Sequence, residues 1–79
     1  MKLHLIKPYD MKEITIVWLE VNATSGNYVL QRGHAPMLLV LAKNRPITYC
    51  LQSGKQESEI ISGGILKIDR TKVVILVDK

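Results

Sequence analysis

The 79-residue sequence contains no phenylalanine, a single cysteine and no apolar run long enough to cross a membrane as a helix. Because Cys50 stands alone, an internal disulfide is excluded, and its apolar surroundings indicate a small buried side chain. The longest uncharged apolar run, Ala35 to Ala42, is far shorter than the roughly 20 residues of a membrane-spanning helix. Near the N-terminus, Pro8 interrupts the chain before a secretory signal develops. We therefore expect a protein of a reducing, cytoplasm-like compartment without a membrane span.

The excess of positive over negative charge is also small. Eleven Lys and Arg against seven Asp and Glu give a formal net charge of +4, but the basic residues form no run of the kind seen in nucleic-acid-binding tails. Basic and aromatic side chains do not converge on any one predicted strand, as they do on single-stranded RNA-binding sheets. A small basic β-barrel that binds nucleic acid is therefore kept only as an alternative, and we expect no nucleic-acid partner.

The residue types that carry catalysis or bind metals are few. His4 and His34 are the only histidines, no Cys-x-x-Cys motif occurs, and no acidic residue stands close to His34. His34 follows a glycine in a predicted turn, so we expect its imidazole to bond nearby backbone. Glu57 and Glu59 stand two apart on a predicted strand and share a face, which we interpret as a solvated outer face rather than a catalytic acid pair. We expect no enzyme activity, no metal and no cofactor.

What the sequence does contain is a regular alternation of β-branched segments with turn residues about every ten positions. This spacing leaves no room for a βαβ crossover. The predicted strands are Leu3–Ile6, Ile14–Val21, Tyr28–Leu30, Met37–Ala42, Ile47–Leu51, Glu57–Ile61, Ile65–Ile68 and Val73–Val77. The pattern predicts an all-β fold, an antiparallel β-sandwich of about eight to ten short strands in two sheets, within a single domain over residues 1–79.

Two strands invite more detailed expectations. In Ile14–Val21, strict alternation places Ile16 and Leu19 on opposite faces, and because both faces are apolar we expect part of this strand to be covered on both sides. Five consecutive apolar residues, Met37–Leu41, must also send side chains to both faces of a strand. In so small a domain, this indicates a protein partner over one of those faces.

The paired glycines Gly63 and Gly64 could suggest a phosphate-binding loop. Such a loop precedes a helix, whereas the segment that follows here, Ile65–Ile68, is predicted to be a strand. We interpret the two glycines as a structural bend that lets the chain change sheets.

Two motifs, in their order and spacing, resemble a known family. Residues 26–37 read Gly-Asn-Tyr-Val-Leu-Gln-Arg-Gly-His-Ala-Pro-Met, and residues 62–68 read Ser-Gly-Gly-Ile-Leu-Lys-Ile, followed by a closing aliphatic strand and Asp78. Together they resemble the N-terminal β-sandwich domain of the epsilon subunit of F-type ATP synthases, over nearly the whole chain. The family commonly has an acidic residue where this chain has Asn27 and a proline where it has Arg32.

The resemblance implies a non-catalytic central-stalk subunit that binds the gamma subunit and the ring of c subunits, coupling proton or sodium flow to ATP synthesis. It implies a monomer within a larger complex, peripheral on the cytoplasmic face of the bacterial plasma membrane. An epsilon-like subunit of a specialised F-type ATPase is a further alternative. Family members commonly continue into two C-terminal helices that restrain ATP hydrolysis, and a chain ending at Lys79 is expected to lack this inhibitory domain.

By position, the resemblance also assigns residues to the two partners. Toward the gamma subunit it places Gly33, His34, Ala35, Pro36 and Leu39. Toward the c ring it places the turn made of Thr24, Ser25, Gly26, Asn27 and Tyr28.

Overall fold

The computed structural model describes residues 1–78, which form eight β-strands and no helix. The strands are β1 (Lys2–Lys7), β2 (Asp10–Ala23), β3 (Gly26–Gln31), β4 (Met37–Leu41), β5 (Arg45–Leu51), β6 (Gln56–Ile61), β7 (Gly64–Ile68) and β8 (Lys72–Val77). No helix within residues 1–78 could therefore cross a membrane. The all-β prediction is confirmed.

The longest strand, β2, takes part in both layers of the fold. Its first part, residues 10–15, pairs antiparallel with β1, whereas its second part pairs with β3 along one edge and with β5 along the other. Strand β5 pairs with β6. Strand β1 pairs with β8, β8 with β7, and β7 with β4. The order β3-β2-β5-β6 is called here the first sheet, and β2-β1-β8-β7-β4 the second sheet.

One strand pair differs from the antiparallel prediction. Strands β1 and β8 run parallel, with Leu3 beside Val73 and Leu5 beside Ile75. Parallel neighbours need a long connection between them, and here the rest of the domain supplies it, because these are the first and last strands. The second sheet is therefore mixed.

A β-bulge carries β2 from one sheet to the other. Ile16 pairs with Leu51 and Trp18 with Cys50, so that Val17 is an extra residue in the ladder. The bulge reverses the inward and outward alternation, and Ile16 and Leu19 are both buried. The expectation that this strand is covered on two faces is wrong. The bulge directs Ile16 and Leu19, which alternation alone would place on opposite faces, into the same core.

The core between the sheets is almost entirely aliphatic. Its most deeply buried side chains are Leu3, Leu5, Ile16, Leu19, Val21, Leu30, Ile47, Leu66, Ile68, Val73 and Ile75. No polar or charged residue among those described is buried, so apolar burial is the dominant stabilising term. Cys50 is buried as a free thiol, which confirms the expectation from sequence.

Local turn chemistry explains where the chain changes direction. Residues 62–63 bend the chain between β6 of the first sheet and β7 of the second, and both Gly63 and Gly64 have positive φ. Pro46 is the second residue of β5. It lies before residues 48–51, the part of β5 that pairs with β2, so its missing N–H does not interrupt that ladder.

Candidate interaction surfaces

The outer face of the second sheet carries an apolar row that crosses every strand. Strand register places these residues side by side: Val40 of β4, Ile65 of β7, Leu76 of β8, Ile6 of β1 and Met11 of β2. A core residue adjoins each of the first four along its strand, and Met11 shares the face of its partner Ile6, so the row points away from the core. Ile6 is half-buried and the other four are exposed. We call these five residues the apolar row.

A second row lies beside the first and mixes apolar with charged side chains. It runs from Leu38 through Lys67, Val74 and His4 to Glu13. The Nε2 atom of His4 lies 3.9 Å from Oε1 of Glu13. We call this the mixed row, and with the apolar row it makes the outer face of the second sheet a surface suited to a protein partner.

The outer face of the first sheet is different, because its polar side chains bond one another. Asn27 Nδ2 donates to Glu20 Oε2 at 3.2 Å and to Asn22 Oδ1 at 3.3 Å. The hydroxyls of Thr48 and Ser58 lie 2.6 Å apart. Of the two outer faces, the second sheet's is therefore the stronger candidate for apolar docking.

The loop of residues 32–36 joins β3 to β4 and borders the second sheet. The Gly33 N–H donates to the carbonyl of Arg70 at 3.0 Å, which ties the loop to the β7–β8 turn. Gly33 has φ of 86°, a conformation that favours glycine. The Nδ1 atom of His34 lies 3.0 Å from the carbonyl oxygen of Ala35, which confirms that the imidazole bonds nearby backbone. His34 is half-buried, while the loop's Gly33, Ala35 and Pro36 are exposed.

Leu39 is not part of this exposed surface. It pairs with Leu66 and turns inward, where only 7% of it is exposed. Its neighbours Leu38 and Val40 turn outward instead, and Leu38 is 65% exposed. The expectation that Leu39 faces the gamma subunit is wrong, because alternation along β4 directs this side chain into the core.

The β2–β3 turn is exposed and tied down by hydrogen bonds. The Thr24 N–H donates to the carbonyl of Val40 at 2.8 Å, and the hydroxyls of Ser25 and Tyr28 lie 2.9 Å apart. Tyr28 is half-buried against the core, which anchors the turn. The turn lies at the opposite end of β3 from residues 32–36, about 17 Å along the strand. The two segments could therefore contact different partners.

The acidic residues of β6 face the interior side of the first sheet. Glu57 pairs with Tyr49 and Glu59 with Ile47, and both partners are buried. The two glutamates share a face, as alternation requires. The interpretation of that face as a solvated outer surface is wrong, since the β5–β6 register places it toward the second sheet.

These glutamates form contacts at the rim of the sandwich. The carboxylate of Glu59 contacts the ammonium of Lys7 and lies 3.8 Å from Nζ of Lys12, so it links the first sheet to β1 and β2 of the second. The Tyr49 hydroxyl donates to Glu57 Oε2 at 3.2 Å. Burial, this hydrogen bond and the nearby carboxylates raise the pKa of Tyr49 above its usual 10.0. These contacts tie β6 to β1, β2 and β5.

The described residues contain no cluster of three His, Cys, Asp or Glu side chains that could hold a metal ion. A depression of about 320 Å³ is lined by Lys43, Asn44, Ser62 and Asp78. It brings together one cation and one carboxylate, an arrangement that does not favour a ligand of either charge. The surfaces of this domain suit contact with other proteins.

Sequence reasoning did not find the apolar row. Its members come from five different strands, and only Val40 lies in the segment singled out for a partner. The available signal was a hydrophobic residue at alternate positions in strands whose other face is also hydrophobic, as in Ile65–Ile68 and Val73–Val77.

The family model for the ATP synthase delta/epsilon chain β-sandwich domain matches residues 1–79. A chain of the Euglena gracilis mitochondrial ATP synthase, from a cryo-EM structure of OSCP, F1 and the c-ring, superimposes with a TM-score of 0.89 at 21% identity. A chain of the Tetrahymena thermophila mitochondrial ATP synthase, from a structure of the central stalk and c-ring, superimposes with a TM-score of 0.84 at 16% identity.

The superpositions cover 98% and 100% of this chain, but 49% of the Euglena chain and 63% of the Tetrahymena chain. The present chain therefore spans about half to two thirds of those proteins. At these identities the likeness shows a shared fold.

Proposed function

The chain belongs to the family of ATP synthase delta/epsilon chain β-sandwich domains, and from this premise we propose that it is a non-catalytic central-stalk subunit that binds the gamma subunit and the c ring of a rotary ATP synthase. The family match over residues 1–79 carries the proposal. In this role the domain transmits rotation between ion flow through the c ring, driven by protons or sodium ions, and ATP synthesis. It acts at the membrane surface as a peripheral part of the complex, on the cytoplasmic side of a bacterial plasma membrane.

The gamma subunit covers the outer face of the second sheet in this proposal. The apolar row crosses the whole sheet, and Leu38 extends the surface toward the loop of residues 32–36. Burial of each half-exposed aliphatic side chain contributes on the order of 1 kcal/mol, so a handful of them supports a stable contact. Gly33, His34, Ala35 and Pro36 border this face and form its margin. Leu38 and Val40 take the place of Leu39 as the apolar contacts from β4.

The c ring meets the β2–β3 turn in this proposal. Thr24, Ser25, Gly26 and Asn27 are exposed and polar or small, and Tyr28 anchors them. Polar turns suit contact with the polar loops of a membrane ring, and this turn lies at the far end of β3 from the gamma margin. Two partners can therefore bind at once.

Nucleic-acid binding is not favoured. The exposed side chains of the apolar row are aliphatic or thioether groups, on which bases stack poorly. Trp18 is half-buried and lies on the first sheet, and the fully exposed Tyr9 is in the β1–β2 turn. Within residues 1–78, aromatic and basic side chains form no stacking platform.

A binding experiment with purified gamma subunit tests the proposal. The double variant Leu38→Asp with Val40→Asp should weaken binding at least tenfold, because it places two charges on the apolar face. Ile60→Asp is the matched control, since Ile60 is 70% exposed but lies on the outer face of the first sheet. Both variants should keep the circular dichroism of the parent. Loss of binding in the control alone would assign gamma to the first sheet, and absence of binding by the parent chain would reject the proposal.

Crosslinking tests the ring contact separately. In an assembled complex, Ser25→Cys should crosslink to a c subunit, while Ser53→Cys in the β5–β6 turn should not. Crosslinking by the second variant alone would move the ring contact to that turn.

A further inference from the structure

Lys67 lies on the outer face of the second sheet, on β7. It stands in the mixed row between Leu38 and Val74, and Ile65 precedes it on the same face. No carboxylate of the described residues forms an ion pair with it. Lys67 is therefore an exposed cation bordered by aliphatic side chains.

Within residues 1–78, the other basic side chains of this face each lie near a polar or acidic group. Lys2 Nζ donates to the Thr15 hydroxyl at 2.8 Å, and His4 lies beside Glu13. The charge of Lys72 acts on the carboxylate of Asp69 in the β7–β8 turn. Lys67 differs from them because its partners on the two neighbouring strands, Leu38 and Val74, are both apolar.

Docking of an apolar partner would take this ammonium out of water. A buried cation without a counter-charge is strongly unfavourable, and the loss exceeds what burial of its aliphatic neighbours contributes. A carboxylate on the partner removes the penalty with a charge-assisted hydrogen bond. Backbone carbonyls accept hydrogen bonds from lysine but leave its charge uncompensated.

The apolar row by itself gives a partner little positional information. Adjacent strands are about 4.8 Å apart, and a shift by one strand exchanges one aliphatic contact for another. A single charge pair at one point of an otherwise apolar surface sets the register of binding, as polar residues do in other apolar interfaces.

We propose that the gamma subunit presents an aspartate or glutamate to the ammonium of Lys67, and that this ion pair sets where gamma seats on the second sheet. The inference rests on the proposed function and deepens it by stating the chemistry of the partner. It makes Lys67 a specificity-determining residue of the interface.

Calorimetric titration of the full chain with purified gamma subunit tests the inference. Lys67→Met keeps the length and apolar stem but removes the charge, and it should weaken binding about tenfold and reduce the salt dependence of Kd. Lys67→Glu should weaken binding further, by about a hundredfold, because like charges then meet. Lys55→Met is the control, since Lys55 lies in the β5–β6 turn with 71% of its side chain exposed.

Rescue identifies the partner carboxylate. Replacing the acidic residues of gamma one at a time by lysine should yield one variant that restores binding to the Lys67→Glu chain. The same gamma variant should bind the Lys55→Met control no more tightly than it binds the parent chain. Thermal midpoints of all Lys67 variants should match the parent, because the side chain is exposed in the isolated domain.

The outcomes separate the two proposals. If the parent chain does not bind gamma, the proposed function fails. If the parent binds and Lys67→Met binds equally well or more tightly with unchanged salt dependence, the carboxylate is disproved while the proposed function stands.

Discussion

The ammonium of Lys7 in β1 contacts the carboxylate of Glu59 in β6, and this contact joins the edge of the first sheet to the second. Both side chains are partly shielded, at 29% and 24% exposure. Lys12 adds a second cation at 3.8 Å from the same carboxylate. Shielding and a shared counter-charge make this contact stronger than an ordinary surface pair.

Removing the Glu59 charge should therefore lower stability. We expect Glu59→Gln to reduce the free energy of unfolding by about 1 kcal/mol, measured by urea denaturation. A double-mutant cycle with Lys7→Met should show a coupling that weakens with added salt. The pair between Lys55 and Glu57, at 3.8 Å and more exposed, serves as control and should show little coupling. Equal coupling in both pairs would contradict the greater strength that we expect of the contact between Lys7 and Glu59.

Gly64 is required by close approach of two strands. A Cβ at this position would overlap the carbonyl oxygen of Leu76 in the neighbouring β8. We expect Gly64→Ala to cost about 3 kcal/mol, because backbone rather than a flexible side chain must move. Gly54→Ala is the matched control: Gly54 also has positive φ, but nothing lies within 4 Å of its added Cβ. That change should cost only about 1 kcal/mol. Equal losses of stability in chemical denaturation would show that backbone strain at positive φ, rather than overlap with Leu76, sets the cost of Gly64→Ala.

Leu38 and Leu39 should respond to truncation in opposite ways. Leu39→Ala creates a cavity in the core and should cost about 2–4 kcal/mol of stability. Leu38→Ala should change stability by less than about 0.5 kcal/mol, since Leu38 is exposed in the isolated domain. In gamma binding, measured with folded protein, Leu38→Ala should have the clear effect. A large stability loss from Leu38→Ala would show that its side chain packs inward.

Asp69 should make the domain sensitive to acid. Backbone N–H groups of Thr71 and Lys72 donate to its carboxylate at 2.9 and 3.0 Å, and they hold the pKa of Asp69 below its usual 3.8. Because the folded pKa is the lower one, the ionised carboxylate stabilises the fold above about pH 4, and this contribution is lost as pH falls through the folded pKa. Asp69→Asn should be less stable than the parent at neutral pH, with the difference shrinking in acid. Thermal melts across this range measure it, and a constant difference would contradict the assignment.

Tyr49 gives a corresponding test in alkali. Burial raises its pKa above 10.0, with further contributions from Glu57 and Glu59. A raised folded pKa means that the neutral phenol stabilises the fold below about pH 10, and that this contribution disappears as pH rises through the folded value. Glu57→Gln should lower the pKa of Tyr49 by removing a carboxylate, as followed by ultraviolet difference absorbance. An unchanged titration would show that Glu57 does not contribute to the shift.

Much of the fold could be predicted from the sequence. Each of the eight predicted segments is a strand, because β-branched residues and the Gly, Asn and Pro turns between them are local signals. The strand bounds were less predictable, as β2 begins at Asp10 rather than at Ile14. Three of the four added residues are polar and Met11 stands alone among them, so the segment carries no apolar run although it pairs with β1.

The candidate site was only partly predictable. The motif of residues 26–37 led to the family and to the loop and turn that we propose as contacts. It also led to Leu39, which is buried, because the motif does not show which side of β4 faces the core. Alternation shows which residues of a strand share a face, but it does not show which face points into the core until a neighbouring strand is in place.

The sequence by itself therefore determined the strands, the turns and the family, since these depend on residues close together along the chain. Tertiary structure decided which side chains face inward. The bulge at Val17 places Ile16 and Leu19 in one core, and the β5–β6 register turns Glu57 and Glu59 toward the second sheet. The apolar row exists only where five strands from distant parts of the chain align. A shift of one residue in any of these pairings would invert the faces without changing the sequence, so pairing is the physical step that creates the surface.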